Sequence, residues 1–276
     1  MDMDSAAKSN QQFYDYLHTE DQFFEGSPHL KHESLRNFYL SLVKKCCSYA
    51  KSYGQSHPKV LDLGAGNGAA TLAFILEGCS VTAVDISALQ LRRFIESWPQ
   101  HFPKCNIVQS EAIDYIHKSK KSGEKFDVII FNSFLHHLPD YLAAVEAAFG
   151  LLNKRGVIFT FQDPIYYPTL PLATRFFSAM AYFIWRVRQP VLLAGLKRRF
   201  ARWRGDFSDP MNDVEYHVVR EGVNQGELMK LCRKNGLRVE YFTYFSTQSF
   251  FFYHLSSLLP QWFDNTFSLI VKSGGQ

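Results

Sequence analysis

The sequence contains no CxxC pair, no internal repeat and no apolar run long enough to cross a membrane. Its five cysteines are odd in number and two of them, Cys46 and Cys47, are adjacent, which argues against a disulfide framework and against zinc-ligand spacing. We therefore expect a reducing, cytoplasmic location and no bound metal. The longest largely apolar stretch, 176–185, is about half of a bilayer span, and the polar, acidic N-terminus does not resemble a secretory signal.

Apolar residues are plentiful enough for a sizeable core. The 276 residues are 46% hydrophobic and 16% aromatic, which excludes disordered and fibrous classes. The net charge of +4 is too small to indicate a nucleic-acid partner, so none is expected. The charge is nevertheless segregated, because residues 164–205 contain eight Lys or Arg and no Asp or Glu.

The hydrophobic pattern predicts strands that alternate with helices. Apolar residues spaced by three and four indicate a helix over 34–53. Five short apolar runs follow between residues 59 and 163, separated by helical segments, which predicts a parallel sheet whose strands are buried on both faces. Beyond the basic stretch, the pattern predicts one more helix (225–236) and two more strands (237–245 and 267–273).

A glycine-rich turn ends the first predicted strand, with the sequence Asp62-Leu63-Gly64-Ala65-Gly66-Asn67-Gly68. Glycines allow positive φ angles and the close approach of a ligand, and the helix that follows points free N–H groups into the same space. Asp85 closes the second strand beside this crevice, where a carboxylate can bind two vicinal ribose hydroxyls. The pair predicts a nucleoside cofactor, with an ordinary strand-to-helix turn and a helix N-cap at Asp85 as the alternatives.

The turn also satisfies the dinucleotide fingerprint through Gly64, Gly66 and Ala69. An NAD(P)-dependent oxidoreductase is therefore an alternative function. Asp62 argues against it, because a carboxylate there would repel a pyrophosphate and would instead favour an ammonium group. The rest of the chain also shows no second mononucleotide-binding half.

Several segments resemble class I S-adenosylmethionine (SAM)-dependent methyltransferases of the small-molecule type. VLDLGAGNG resembles motif I, VDIS resembles the ribose-acid motif, and FDVIIFNSFLHHL resembles motif IV of that family. The resemblance covers 55–163 by motif and 213–273 by pattern. It implies a Rossmann-like α/β fold with a seven-stranded, mostly parallel sheet, an antiparallel last strand and a helical cap inserted after strand five.

The resemblance also implies cofactor contacts and a domain division. The residues implied to hold SAM are Asp62, Gly64, Ala65 and Gly66 at the methionine end, Asp85 at the ribose, Ile86, Glu111 and Ala112 at the adenine, and Asn132 and Ser133 beside the methionine part. For Glu111, a solvated surface acid is the alternative. The expected division is an N-terminal helical segment (1–54) that is either a lid or a fixed strap, the SAM-binding core (55–163), the basic cap (164–212) and the completion of the sheet (213–276).

Methyl transfer from a sulfonium is an in-line displacement that depends on alignment and on exclusion of water, and a weakly acidic acceptor hydroxyl also needs a base. The candidates for that catalytic role are His136, His137 and His217. The candidates for substrate contact are Tyr16, Gln162, Asp163, Tyr216 and Arg220. The [DN]PP[YF] motif of nucleic-acid amino methylation is absent, since Asn132-Ser133-Phe134-Leu135 occupies its place.

The basic stretch carries apolar residues at helical spacing, namely Phe176, Phe177, Met180, Phe183 and Ile184. Two interpretations stay open. The helix either caps the core or, together with the Arg-rich residues up to 204, contacts a membrane surface or an amphipathic substrate through 175–204. The expected function is methyl transfer to a small or amphipathic organic acceptor. The alternative that is not an enzyme is a catalytically silent protein with the SAM-binding fold, which binds a partner through its basic cap.

Overall fold

Strands and helices alternate through most of the chain in a computed structural model that describes residues 8, 11, 27–52, 54–99, 105–187 and 221–274. The strands are β1 (Lys59–Leu63), β2 (Ser80–Asp85), β3 (Cys105–Gln109), β4 (Phe126–Asn132), β5 (Leu152–Pro164), β6 (Arg238–Tyr244) and β7 (Thr266–Lys272). The helices are α1 (Pro28–Lys31), α2 (Glu33–Lys51), α3 (Thr71–Leu76), α4 (Ala88–Ser97), α5 (Ala112–Ser122), α6 (Tyr141–Phe149), α7 (Leu172–Val187), α8 (Gln225–Lys234) and α9 (Phe250–Ser256).

The seven strands form one sheet in the order β3-β2-β1-β4-β5-β7-β6. β7 runs antiparallel to both of its neighbours, and the other pairs are parallel. The predicted seven-stranded sheet with an antiparallel last strand is therefore confirmed, as is a helix, α7, after strand five. The strand order reverses between β1 and β4, and an open α/β sheet binds its ligand in the crevice at such a point.

Both faces of the sheet are covered, which explains why its strands are apolar without alternation. Successive side chains on a strand point to opposite faces. Val60 therefore packs on the face that carries α2, whereas Leu61 and Leu63 pack on the face that carries α5 and α6. All three side chains are fully buried, so the strands hold their carboxyl ends in fixed positions.

Several helices begin at a polar residue whose side chain accepts a backbone N–H. Ser87 caps α4, Glu111 caps α5 and Asp140 caps α6. Such caps are worth about 1 kcal/mol each. Because Ser87 holds the cap position of α4, Asp85 does not act as a simple helix cap.

The N-terminal strap, residues 27–32, lies across the sheet edge and is attached to α9. The His32 ring stacks on the Tyr253 ring with centroids 4.0 Å apart, and its Nε2 lies 2.7 Å from the carbonyl oxygen of Thr247. The Ser34 hydroxyl also lies 2.6 Å from the Tyr253 hydroxyl. These contacts join His32 and Ser34 to α9 and to the segment that precedes it.

Among the residues that the structure describes, one face of helix α7 packs on aromatic side chains. The Phe177 ring lies 5.1–5.7 Å from the rings of Phe245, Phe252 and Phe263. The opposite face carries an exposed apolar stripe of Leu172, Phe176, Met180, Phe183 and Val187. Both interpretations of this helix thus retain a physical basis, and the remainder of the predicted cap, 188–212, lies outside the described residues. Within the described ranges, every helix is too short or too polar to cross a bilayer.

Candidate active site

The glycine turn after β1 needs glycine for different reasons at its three positions. Gly64, Gly66 and Gly68 have φ angles of +77°, +54° and +74°. A side chain at Gly64 would meet the Phe134 ring at 2.2 Å, and one at Gly68 would meet the Phe94 ring at 2.3 Å. A side chain at Gly66 would instead point into open space, with nothing within 4 Å. The turn therefore presents bare backbone to the crevice at Gly66.

Asp85 is held against this turn by two backbone bonds. Its Oδ2 accepts the N–H of Gly66 at 2.8 Å, and its Oδ1 accepts the N–H of Ser87 at 2.8 Å. The carboxylate thus joins the end of β2 to the glycine turn after β1. This is the location from which a carboxylate can reach two vicinal hydroxyls of a ribose.

A cleft opens at the carboxyl ends of β1, β2 and β4, and most of the predicted cofactor residues line it. These are Gly64, Ala65, Gly66, Asp85, Ile86, Glu111, Ala112, Asn132 and Ser133, joined by the predicted catalytic residue His137. The sequence interpretation missed other wall residues, namely Ser27, His29 and Leu30 of the strap, Gln90 and Arg93 of α4, and Phe134. Phe134 lies within the segment that resembles motif IV, which is the signal that could have found it. No motif marks the other positions, because the chain reaches the cleft there only through tertiary packing.

Asp62 lies beneath the turn and does not line the cleft. Its Oδ2 accepts the Thr71 hydroxyl at 2.6 Å, and its Oδ1 is buried with no hydrogen-bond partner among the described residues. Burial is the main reason that the pKa of Asp62 is raised to about 7, and the negative charge of Asp85 adds to the shift. A positive group bound above the turn would favour the ionised carboxylate.

Glu111 combines two roles in this wall. Its side chain accepts the N–H of Asp114 at 2.9 Å as the cap of α5, and it also lines the cleft. Burial raises its pKa, although its bonds to backbone N–H groups oppose that shift. The alternative of a fully solvated surface acid does not describe this position.

Two residues without glycine's freedom adopt positive φ at the ends of neighbouring strands. Ser133, after β4, has φ +51°, and Gln162, in β5, has φ +66°. Such conformations cost about 1 kcal/mol or more and concentrate at functional sites. Ser133 lines the cleft. Gln162 lies behind it, where its N–H donates to the Tyr244 hydroxyl at 2.8 Å and its side chain bonds Ser246.

The partly buried His136 and the fully buried Asp163 form a pair, and neither is among the residues that line the cleft. Asp163 Oδ1 accepts the backbone N–H of His136 at 3.2 Å and lies 2.8 Å from its Nδ1. Burial lowers the pKa of His136 to about 4 and raises that of the fully buried Asp163. His136 therefore carries no positive charge near neutral pH.

His137 is the predicted catalytic residue that does reach the cleft. Its ring lies 4.2 Å from that of His136, and burial, reinforced by repulsion from His136, lowers its pKa well below 6.5. A neutral imidazole there can accept a hydrogen bond or a proton. The other predicted residues, Tyr16, Tyr216, His217 and Arg220, lie outside the described residues.

The strand order, the antiparallel β7, the open glycine turn and the acid at the end of β2 together define a class I methyltransferase fold with a nucleoside-binding cleft. The residues fit SAM. Gly66 leaves room at the turn, Asp85 lies where a carboxylate can reach a ribose, and the unpartnered oxygen of Asp62 would favour a positive group such as an ammonium.

Comparison with known proteins agrees with this assignment of the fold. A family model described as a methyltransferase domain matches residues 32–241, and the chain belongs to that family. The chain thus carries a methyltransferase domain with the class I fold. These matches support neither an NAD(P)-dependent oxidoreductase nor a silent binding protein.

Solved structures show the same fold at low identity. A plantazolicin methyltransferase in complex with S-adenosylhomocysteine (SAH) has a TM-score of 0.55 and 14% identity, and the match covers 99% of this chain and 97% of that one. Magnesium protoporphyrin IX methyltransferase from Synechocystis, with bound SAM, has a TM-score of 0.53 and 12% identity over 98% and 97%. A SAM-dependent methyltransferase from Archaeoglobus fulgidus has a TM-score of 0.54 and 17% identity over 93% and 99%.

Curated relatives match a shorter region. The ubiquinone biosynthesis O-methyltransferase of Actinobacillus pleuropneumoniae is 30% identical over 110 residues, which are 40% of this chain and 47% of that protein. The enzyme of the same name from Histophilus somni is 32% identical over 111 residues, 38% of this chain and 45% of that protein. The chain thus spans about half the length of the curated relatives it matches.

Proposed function

We propose that the protein transfers the methyl group of SAM to a small or amphipathic organic acceptor. The observation that carries this proposal is the bond between Asp85 and the glycine turn, at one end of a cleft that continues to His137. A cofactor bound along that cleft would have its ribose at Asp85 and its methyl group toward β4.

The residues of the cleft divide by the part of SAM that they would hold. Ile86, Glu111 and Ala112 lie beside β2 and β3 and suit the adenine, whereas the glycine turn and Asn132 suit the methionine part. Asp62 would act from below through its charge. SAM supplies a methyl group that is already activated on sulfur, so the chain's task is to orient the partners and to exclude water.

The acceptor end of the cleft has apolar and polar walls. Phe134, Leu138 and Pro139 provide the apolar surface, and His137 provides a neutral imidazole. This combination suits an amphipathic molecule with a hydroxyl that His137 can contact. The names of the curated relatives, which are O-methyltransferases, favour oxygen as the attacking atom. Contacts from Tyr16, Tyr216, His217 and Arg220, and the division of the chain at 54, 163 and 212, remain part of this proposal.

We also propose that the protein works in the cytoplasm and touches membrane surfaces through 175–204. The five free thiols suit a reducing compartment. The exposed stripe on α7 supports the surface contact, and the basic residues that follow it in the sequence suit anionic lipid. We expect binding to phosphatidylglycerol vesicles but not to phosphatidylcholine vesicles, and less binding after Phe176→Ser with Phe183→Ser. Equal recovery of the wild-type protein with both lipids would contradict this contact.

The test of the function has two stages. Calorimetry should detect binding of SAH and none of NADH. Labelled SAM, incubated with the protein and extracts of small molecules, should then yield a labelled product that mass spectrometry identifies. Binding of SAH without transfer to any acceptor would contradict the proposed activity.

A further inference from the structure

His29 is a buried histidine that no sequence motif includes. It belongs to the N-terminal strap, is 1% exposed and lines the same cleft as the glycine turn and Asp85. Burial lowers the pKa of His29 to about 3, so the ring is neutral at neutral pH. One of its nitrogens is therefore a hydrogen-bond donor and the other is an acceptor.

Aromatic packing holds the His29 ring in place. Its centroid lies 5.2 Å from that of Tyr39 and 5.4 Å from that of Phe161. The Tyr39 hydroxyl in turn donates to the carbonyl oxygen of Ala70 at 2.9 Å, and Ala70 lines the cleft just after the glycine turn. The imidazole is thus fixed between the strap, the turn and the end of β5.

His29 and Asn132 form one hydrogen bond with each other, which leaves one polar atom of each side chain without a partner. His29 Nε2 lies 3.4 Å from the Asn132 amide nitrogen, whereas His29 Nδ1 and the Asn132 amide oxygen are buried and have no partner among the described residues. If the amide donates to Nε2, the remaining pair is an N–H donor on Nδ1 and an oxygen acceptor. If the amide is turned over, the remaining pair is an acceptor on Nδ1 and an N–H donor. Either assignment leaves one donor and one acceptor.

A buried donor and acceptor without partners are unfavourable unless a ligand completes them. The position of the pair indicates which ligand. Asn132 ends β4, on the side of β1 opposite to β2, the strand that carries Asp85. Neighbouring strands lie about 4.8 Å apart, so a nucleoside anchored at Asp85 extends across β1 and brings its tail to β4.

We infer that His29 and Asn132 bind the amino-acid tail of the cofactor, whose ammonium and carboxylate supply a donor and an acceptor. This inference rests on the proposed function, because it takes SAM as the ligand. The strap would then be part of the cofactor site. The tail of the cofactor would be bound by two residues, His29 and Asn132, that are 103 positions apart in the sequence.

The test compares two ligands in calorimetry. SAH carries the amino-acid tail, whereas 5′-methylthioadenosine has the adenosine without it. His29→Phe removes both ring nitrogens and keeps a ring that can pack on Tyr39 and Phe161. We expect it to weaken SAH binding roughly tenfold, the effect of one lost hydrogen bond, and to change 5′-methylthioadenosine binding less than about twofold. Asn132→Leu should reproduce this pattern, and His29→Gln, which retains a donor and an acceptor, should weaken SAH less.

His32→Phe is the matched control. His32 belongs to the same strap and is 2% exposed, but its ring stacks on Tyr253 and it is not among the residues that line the cleft. We expect any loss of affinity in that variant to be equal for the two ligands. Melting temperatures without ligand show whether each variant is folded.

Two results would overturn the inference. Unchanged SAH affinity in His29→Phe would mean that His29 and Asn132 contact the molecule that is methylated, or only pack. An equal loss of affinity for both ligands would mean that His29 only shapes the cleft. Wild-type protein that binds neither ligand would instead overturn the proposed function, and this inference with it.

Discussion

The Asp85 carboxylate accepts the backbone N–H of Gly66 at 2.8 Å. This bond joins the turn after β1 to the end of the neighbouring strand β2, and its two residues are 19 positions apart in the chain. One side chain therefore holds the turn in its open conformation and stands at the ribose position. Cofactor affinity and the geometry of the turn should depend on the same residue.

Asp85→Ala should weaken SAH binding by about 1–3 kcal/mol, because a charged hydrogen-bond acceptor for the ribose is lost. Asp85→Asn should weaken SAH binding less than Asp85→Ala does, since the amide oxygen can still accept one N–H. Calorimetry gives the affinities. Asp114→Ala is the control, because Asp114 is an exposed acid at the start of α5 and should not change affinity. Equal SAH affinity in wild type and Asp85→Ala would contradict the ribose assignment.

SAH affinity should rise between pH 6 and pH 8. The pKa of Asp62 is about 7 without ligand, so the carboxyl holds a proton below that pH. A bound ammonium favours the ionised form, and the proton must therefore leave on binding at pH 6 but not at pH 8. The affinity should increase by up to about tenfold per pH unit below 7 and then level off.

Asp62→Asn provides the control for that pH dependence, since an amide can accept the Thr71 hydroxyl but cannot ionise. Its affinity should be lower at pH 8 and nearly constant across the range. Calorimetry in two buffers with different ionisation enthalpies would count the released proton directly. A wild-type affinity that is flat or falls toward pH 8 would refute the role of Asp62.

Gly64→Ala should destabilise the protein more than Gly66→Ala. Both positions have positive φ, but a methyl group at Gly64 also meets the Phe134 ring at 2.2 Å, whereas one at Gly66 meets nothing within 4 Å. We expect a loss of about 2–4 kcal/mol for Gly64→Ala and about 1 kcal/mol for Gly66→Ala, measured by denaturant unfolding. Gly66→Ala should instead weaken SAH binding, because its methyl group enters the cleft. The reverse order of stabilities would contradict the packing described.

His137→Phe should lower the turnover number by about a hundredfold or more if the imidazole takes the acceptor's proton, with little change in SAH affinity. The neutral form is favoured because the pKa of His137 lies well below 6.5. Turnover should therefore not decline between pH 8 and pH 6.5 through this residue. The measurement uses labelled SAM and the acceptor identified by mass spectrometry. Unchanged turnover in His137→Phe would exclude a proton-transfer role.

The parts of the site that follow local rules were predictable. The turn from Gly64 to Gly68 has a glycine at every second position and follows an apolar strand, and Asp85 ends the next strand. Backbone geometry places both at one sheet edge once the strands are parallel. The same rule places Glu111, just after β3, and Asn132, at the end of β4, at that edge of the sheet.

The pairing of His136 with Asp163 was not predictable. His136 follows β4 and Asp163 lies near the end of β5, so the strand pattern predicts that both face the cleft. The register of β5 shifts between Thr160 and Asp163, and the fully buried Asp163 accepts the backbone N–H of His136 and lies 2.8 Å from its Nδ1. A register irregularity depends on side-chain packing on both faces of the sheet, which periodicity does not encode.

The sequence by itself determined the parallel α/β sheet and the glycine turn and acid at one edge of it, because hydrophobic period, glycine placement and strand-end acids act over a few neighbouring residues. Only the tertiary structure decided which side chains meet at the β4 end of the cleft. His29 reaches Asn132 through packing on Tyr39 and Phe161. A contact between residues so distant in the chain becomes favourable only when the whole sheet and its covering helices have formed.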